Sequence, residues 1–348
     1  MMTIDELVAK AKADGASDVH LICSLPPKYR LDGQLVDMTD TPLTREDCVN
    51  VARELAGLEY ERFDDWGELD SAGTWGGNRC RVHLFKQQGI PSLALRLLRE
   101  KIPDLTTLGL PPTAIELTKL HKGIVLVTGE TGSGKSTTLA AMLDYINHTR
   151  RDHIVTLEDP VEYIYHPDLC AINQREVGKD TKSFSEGLRA SLREDPNVIL
   201  IGEMRDRDTI ETAITAAETG HLVFGTLHTG SAADAVDRIV QVFPADMQTQ
   251  IRLQLSMTLQ AVLTQQLIPK TQGGRALACE LMIVTDAIRN LIRSGNTPQI
   301  ANAVATSVTI GGQTMDQALV KLVRSGAVSR DMAVQYAHDQ DYIKKNAF

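Results

Sequence analysis

The chain has 348 residues, 43% of them hydrophobic, which suits two domains with cores of their own and excludes a disordered chain. A formal net charge of −9 argues against a protein that grips nucleic acid over a broad basic footprint. No apolar run approaches the roughly 18 residues of a membrane span, and the opening MMTIDELVAKAKADGASD lacks the apolar stretch of a secretory signal, so a soluble intracellular protein is expected.

Ile4, Leu7, Val8 and Ala11 recur at helical spacing with Asp5 and Glu6 early in the turn, which predicts a first helix. Strands are predicted at Val19–Ile22 and Tyr29–Leu31, with Asp32-Gly33 as a hairpin turn. A second helix over roughly Arg45 to Glu59, then strands around Arg81–Phe85 and Leu93–Leu98, complete a small α+β domain over residues 1–98. Residues 99–112, REKIPDLTTLGLPP, hold three prolines and no period and read as a linker.

Residues 113–348 alternate helix and short apolar strand. The runs Ile124–Val127, Ile154–Leu157, Val198–Ile201 and Leu222–Leu227 are almost wholly apolar, as in a parallel sheet buried on both faces. Beyond Pro244 the pattern becomes mostly helical, and Ile251, Leu255, Leu259, Val262 and Leu263 are expected on one apolar face. Cys23, Cys48, Cys80, Cys170 and Cys279 form no Cys-x-x-Cys pair, which fits reduced thiols and offers no zinc site.

The stretch GETGSGKS at 129–136 follows the first apolar strand and leads into a helix predicted over Ser136–Ile146, the context a P-loop requires. Glycines here let backbone N–H groups turn inward around an anion, and the helix N-terminus adds partial positive charge. Gly129, Glu130, Thr131, Gly132, Ser133, Gly134, Lys135, Ser136 and Thr137 are therefore expected to hold the phosphates of ATP. Lys135 should reach the β- and γ-phosphates, and the Ser136 hydroxyl should bind Mg²⁺.

Hydrolysis needs further groups at the C-terminal ends of neighbouring strands, where open α/β sheets place their ligands. Glu203, after Val-Ile-Leu-Ile-Gly, stands where an acid organises Mg²⁺ through water or polarises the attacking water. Glu158, Asp159 and Glu162 form a second acidic cluster, one member of which is expected to act as general base. His221 and His228 bracket one strand, and His228, beside Thr226 and Thr229, is the better γ-phosphate sensor. Arg81 and Arg96, in strands of the first domain, are candidate arginine fingers; Arg189, Arg193 and Arg205 are alternatives at an interface.

These motifs resemble the secretion-ATPase superfamily, and within it the retraction ATPases of type IV pili, over essentially the whole chain. ASDVHL (16–21) is similar to the entry of the family's PAS-like domain, EDPVE (158–162) to its acidic box, SFSEGLRASLREDPNVILIGEMRD (183–206) to its Walker-B region and GHLVFGTLHT (220–229) to its His box. AIRNLIRSGN (287–296) resembles the motif that marks retraction ATPases. Assembly and type II secretion relatives carry an extra N-terminal domain and usually a tetracysteine zinc module; on this resemblance the sequence is expected to start at the second domain, and 266–280 holds a single cysteine.

The resemblance implies an α/β fold in which a RecA-like P-loop NTPase domain, with a helical C-terminal extension, follows a small α+β PAS-like domain. It implies a homohexameric Mg²⁺-dependent ATPase, cytoplasmic and peripheral to the inner membrane, that turns a PilC-like platform protein and depolymerises pilin. A paralogous retraction ATPase is a further expected partner; nucleic acid and zinc are not. It favours Glu162 and Glu203 as the catalytic acids, His221 and His228 as contacts near the γ-phosphate, and Arg81 and Arg96 as fingers. A pilus-extension or type II secretion ATPase, or a nucleotide-dependent switch with little turnover, shares the same phosphate chemistry. In the AIRNLIR segment, Thr285 is the expected N-cap, Ser294-Gly295 the stop, and Arg289 and Arg293 share a polar face. That helix reads either as a docked surface helix with solvated arginines or as a transmitter of motion or partner contact.

Overall fold

The computed structural model describes residues 2–31, 34–98 and 101–347; the expected Asp32-Gly33 turn lies outside them. Two compact units form, Met1–Lys101 with Pro160–Ile164, and Ile102–Asp159 with Tyr165–Phe348.

The first unit opens with α1 (Ile4–Ala13), whose capping box pairs Thr3 with Glu6 and whose Ile4, Leu7, Val8 and Ala11 are buried. Strands β1 (Asp18–Leu21), β2 (Lys28–Leu31) and β3 (Gln34–Asp37) precede α2 (Arg45–Ala56) and α3 (Tyr60–Trp66), and β4 (Glu68–Trp75), β5 (Asn78–Gln87) and β6 (Ile90–Leu97) follow. The helix expected to reach Glu59 stops at Gly57, which takes a φ of 52°. The strands form one antiparallel sheet in the order β3-β2-β1-β6-β5-β4. Val19, Val82, Leu84 and Leu95 point into its core. Arg81 and Arg96 are direct cross-strand partners on the other, exposed face. Arg96 Nε donates to Asp18 Oδ1 at 2.9 Å, which offsets the repulsion of two adjacent like charges.

The second unit runs α4 (Thr113–Leu117), β7 (Gly123–Thr128), α5 (Lys135–Thr149), β8 (His153–Glu158), β9 (Ala171–Glu176), α6 (Phe184–Ser191), β10 (Val198–Ile201), α7 (Arg207–Glu218) and β11 (Leu222–Leu227). It continues through α8 (Ala232–Gln241), α9 (Ala245–Thr258), β12 (Leu259–Pro269), β13 (Arg275–Ile283), α10 (Asp286–Ser294), α11 (Ile300–Ala305), α12 (Met315–Arg324), α13 (Arg330–Tyr336) and α14 (Gln340–Asn346). Seven strands line up as β13-β12-β7-β11-β10-β8-β9, all parallel except the β12–β13 pair. Every residue of β7, β10 and β11 is buried, because helices cover both faces. Ile124, Val125, Leu126 and Val127 are fully buried, each stabilising the sheet by about 1.5–3 kcal/mol.

Beyond Pro244 the chain is mostly helical, as expected, but the one apolar face expected from Ile251 to Leu263 does not form. α9 ends at Thr258, and Leu259, Val262 and Leu263 lie on β12, not on the helix face that carries Ile251 and Leu255. β12 pairs with β7 along one edge and β13 along the other, and most of its residues are buried whichever face they point to, so helical spacing carries no information there.

Of the two readings of the AIRNLIR helix, the one with solvated arginines does not describe Arg289. Its Nη1 donates to the carbonyls of Ser256 (2.6 Å), Met257 (3.3 Å) and Leu259 (3.3 Å), closing the orphan end of α9 where the chain turns into β12. Thr285 caps α10 and Gly295 ends it in the left-handed region, as the sequence suggests. Arg289→Ala is expected to cost about 1–3 kcal/mol in urea unfolding, because charge-assisted bonds to several carbonyls go at once. The exposed Arg293, changed to Ala, should stay within about 0.5 kcal/mol of wild type.

Candidate nucleotide-binding site

The loop 129–134 leaves the C-terminal end of β7, which lies between β12 and β11. Gly129 has a φ of 137°, and a Cβ there would sit 2.4 Å from the Gln265 carbonyl oxygen on β12. Only glycine fits that close approach. Gly134, at φ 95°, opens α5, and Lys135 is its first residue. The Lys135 side chain is 9% exposed and its Nζ donates to Gly129 O (2.8 Å) and Glu130 O (2.9 Å), so the ammonium lies along its own loop. Ser136 is exposed and Thr137 half-buried in the first turn of α5. Gln265 Nε2 donates to Thr138 Oγ1 at 2.8 Å, which pins that turn to β12. Ser133 Oγ is buried with no hydrogen-bond partner among the described residues.

One strand pair away, β10 and β11 end in Glu203 and His228. Thr226 Oγ1 donates to Gly202 O, and Met204 N donates to Thr226 O at 3.1 Å, so the two strand ends are tied together before they diverge. His228 Nε2 stands 3.1 Å from Glu203 Oε1, and Arg205 Nε donates to the same oxygen. Desolvation, then the positive charge of Lys135, lower the His228 pKa, while Glu203 opposes them. A neutral imidazole beside a carboxylate must carry its proton on the nitrogen that faces it, so His228 donates through Nε2. Lys135, His228, Glu203 and Arg205 thus form one electrostatically connected cluster.

Glu158 closes β8, where its Oε1 accepts from Thr156 Oγ1 (2.7 Å) and Gln174 Nε2 (3.3 Å); the exposed Asp159 follows and acts electrostatically on Arg205. His221 is a correction. It precedes β11 whereas His228 follows it, so roughly 20 Å of strand separates them at about 3.3 Å per residue. Its Nδ1 hydrogen-bonds Ala216 O at 2.9 Å, at the end of the sheet away from the loop. The strand that joins the two histidines therefore keeps His221 out of the phosphate site of its own unit. Glu162, Arg81 and Arg96 all fall in the first unit, Glu162 within the short stretch Pro160–Ile164.

A cleft of about 340 Å³ beside the loop is lined by Glu130, Thr131, Gln265, Gln266, Arg275 and Tyr336, among others. Gln265, Gln266, Arg275 and Tyr336 escaped the sequence reading. The first three lie on the β12–β13 hairpin, beyond the apolar face read as helical, and Tyr336 ends α13, far along the chain. Among the described residues no helix is long and apolar enough to cross a membrane.

The family described as "Type II/IV secretion system protein" matches residues 1–273. The chain is 46% identical to the type IV pilus retraction ATPase PilT of Pseudomonas aeruginosa over 97% of its own length and 98% of that protein. It is 47% identical to a twitching motility protein of Neisseria gonorrhoeae over 76% of its length and 71% of that protein. The crystal structure of the pilus retraction motor PilT with bound ADP superposes with a TM-score of 0.92 at 45% identity, covering 99% of this chain and 100% of that one. The chain belongs to the type II/IV secretion system protein family.

Proposed function

We propose that the protein is an ATP-hydrolysing motor of type IV pilus retraction. The observation that carries this reading is the connected cluster of Lys135, His228, Glu203 and Arg205 at adjoining strand ends in a chain that matches a retraction ATPase from end to end. The backbone amides of the loop and Lys135 take the phosphates of ATP, and the cleft towards Arg275 and Tyr336 takes the rest of the nucleotide. Glu203 polarises the attacking water, and His228, donating from Nε2, senses the γ-phosphate. The Ser136 hydroxyl and the Glu203 carboxylate are hard oxygen donors, which fit Mg²⁺. Bound there, Mg²⁺ would neutralise charge developing on the transferred phosphoryl group.

Residues 1–98 act as a PAS-like domain joined through 99–112 to the RecA-like domain of 113–348. Arg81 and Arg96 come from a compact unit other than the one that holds Lys135, and the short stretch Pro160–Ile164 inside 113–348, with Glu162, groups with them. ATP draws the two domains, or adjacent subunits of a homohexameric ring, together, and loss of the γ-phosphate lets them part. That rotation turns an inner-membrane platform protein from the cytoplasmic side and depolymerises pilin, alongside a paralogous retraction ATPase where one is present. A strain lacking the gene is expected to lose twitching while keeping excess surface pili. Loss of surface pili instead would assign the motor to extension, and a purified oligomer with turnover near zero would make it a nucleotide switch.

A further inference from the structure

We propose that Glu280 is a positioning residue for hydrolysis: it holds the loop that carries His228 in place by joining the first turns of α8 and α12. Glu280 sits on β13, 7% exposed. Its Oε1 accepts the N–H of Ala232 at 2.8 Å, and its Oε2 the N–H of Met315 at 3.4 Å. Both are first residues of helices, whose early N–H groups have no partner within the helix. The local caps are already committed elsewhere. Ser231 Oγ takes the N–H of Asp234 at 3.1 Å, and Thr314 Oγ1 that of Gln317 at 3.2 Å. Glu280 therefore satisfies the two donors that the caps do not reach, and its charge meets the positive ends of two helix dipoles.

Strand register supplies the link to the phosphate site. Leu227, Thr128, Thr264 and Glu280 are successive partners across β11, β7, β12 and β13. Leu227 immediately precedes His228, and Thr128 immediately precedes Gly129. The hydroxyls of Thr128 and Thr264 lie 2.8 Å apart within that row. Glu280 thus stands level with the start of the phosphate loop and grips α8 three residues after Thr229. Its second oxygen reaches α12, which is also fixed to β13 through Leu281–Gln313 pairing and Gln313 Nε2 on Cys279 O at 2.7 Å. Burial raises the Glu280 pKa, and His338 and Asp316 also act on it electrostatically, with opposite sign. The bonds from the N–H groups of Ala232 and Met315 favour the charged carboxylate and so oppose that cost of burial. Through it, displacement of the C-terminal helices reaches the loop 228–231.

This inference rests on the reading of His228 as the γ-phosphate sensor. The test uses full-length Glu280→Ala and Glu280→Gln, with three readouts: fluorescent ADP binding, ATP turnover at saturation, and amide exchange at 228–236 and 313–318. For Glu280→Ala, turnover should fall on the order of tenfold to a hundredfold, as for a group displaced by about 1 Å, while ADP affinity stays within about threefold because the phosphate loop is untouched. Exchange should quicken at both segments. Glu280→Gln keeps one acceptor oxygen and should lose only about fivefold, roughly the worth of one hydrogen bond. A folded Glu280→Ala protein with wild-type turnover overturns the proposal. Should that variant fail to fold, Glu280→Gln decides: wild-type turnover with wild-type exchange at both segments overturns it equally. Failure of the wild-type protein to bind ADP would instead remove the nucleotide reading, and the exchange measurement does not depend on nucleotide.

Discussion

Lys135→Ala is expected to lower ATP hydrolysis by on the order of a hundredfold to a thousandfold, the cost of deleting one preorganised charge at a phosphoryl site. It should also weaken ADP binding enough to escape calorimetric detection at micromolar concentration. Two effects add. The ammonium that would meet the β- and γ-phosphates disappears, and so do its bonds to the carbonyls of Gly129 and Glu130, which hold the loop in its curved form. Lys135→Arg should not rescue. The site leaves the lysine 9% exposed, and a planar guanidinium cannot reach both carbonyls without displacing the loop. Gly129 already lies so close to β12 that a Cβ built on it would fall 2.4 Å from Gln265 O, which leaves the loop little room to move on that side. Phosphate release by the purified variant at the wild-type rate would remove Lys135, and with it the whole site, from the chemistry.

Much of this site was legible because it is local. The run Ile124–Val127 and the glycines after it announce a buried strand, a tight loop and a helix within a few residues, and β10 and β11 announce themselves the same way. What failed was non-local. β12 reads LQAVLTQQLIP, and its buried Thr264 and Gln265 interrupt the apolar run that betrays the other central strands. The fully buried Leu259, Val262 and Leu263 happen to continue the helical spacing of Ile251 and Leu255, and a short apolar run alone does not distinguish strand from helix. Only pairing with β7 settles it. The two histidines illustrate the same limit. His221 and His228 flank one strand symmetrically in sequence, and only the direction of β11, parallel to β7, assigns one to each end of the sheet. Arg289 was visible as a polar residue on an amphipathic helix, but nothing nearby in sequence foretold the open carbonyls of α9.

Glu203→Gln should separate the chemical step from binding. The amide has nearly the same volume, and its oxygen can still accept from His228 and Arg205, so the strand ends of β10 and β11 should keep their shape. What it loses is the negative charge that makes water a better nucleophile. Hydrolysis should therefore drop on the order of a hundredfold or more, while ATP and ADP bind within a fewfold of wild type, the reverse of the double loss expected for Lys135→Ala. The variant should accumulate in the ATP-bound state, which a filter-binding assay with labelled ATP would detect directly. Retained hydrolysis would mean that Glu203 serves only as the ion-pair partner of Arg205, whose guanidinium it already engages. The attacking water would then need another acid, and Glu162 of the first unit becomes the candidate. Glu162→Gln would then show the defect in its place.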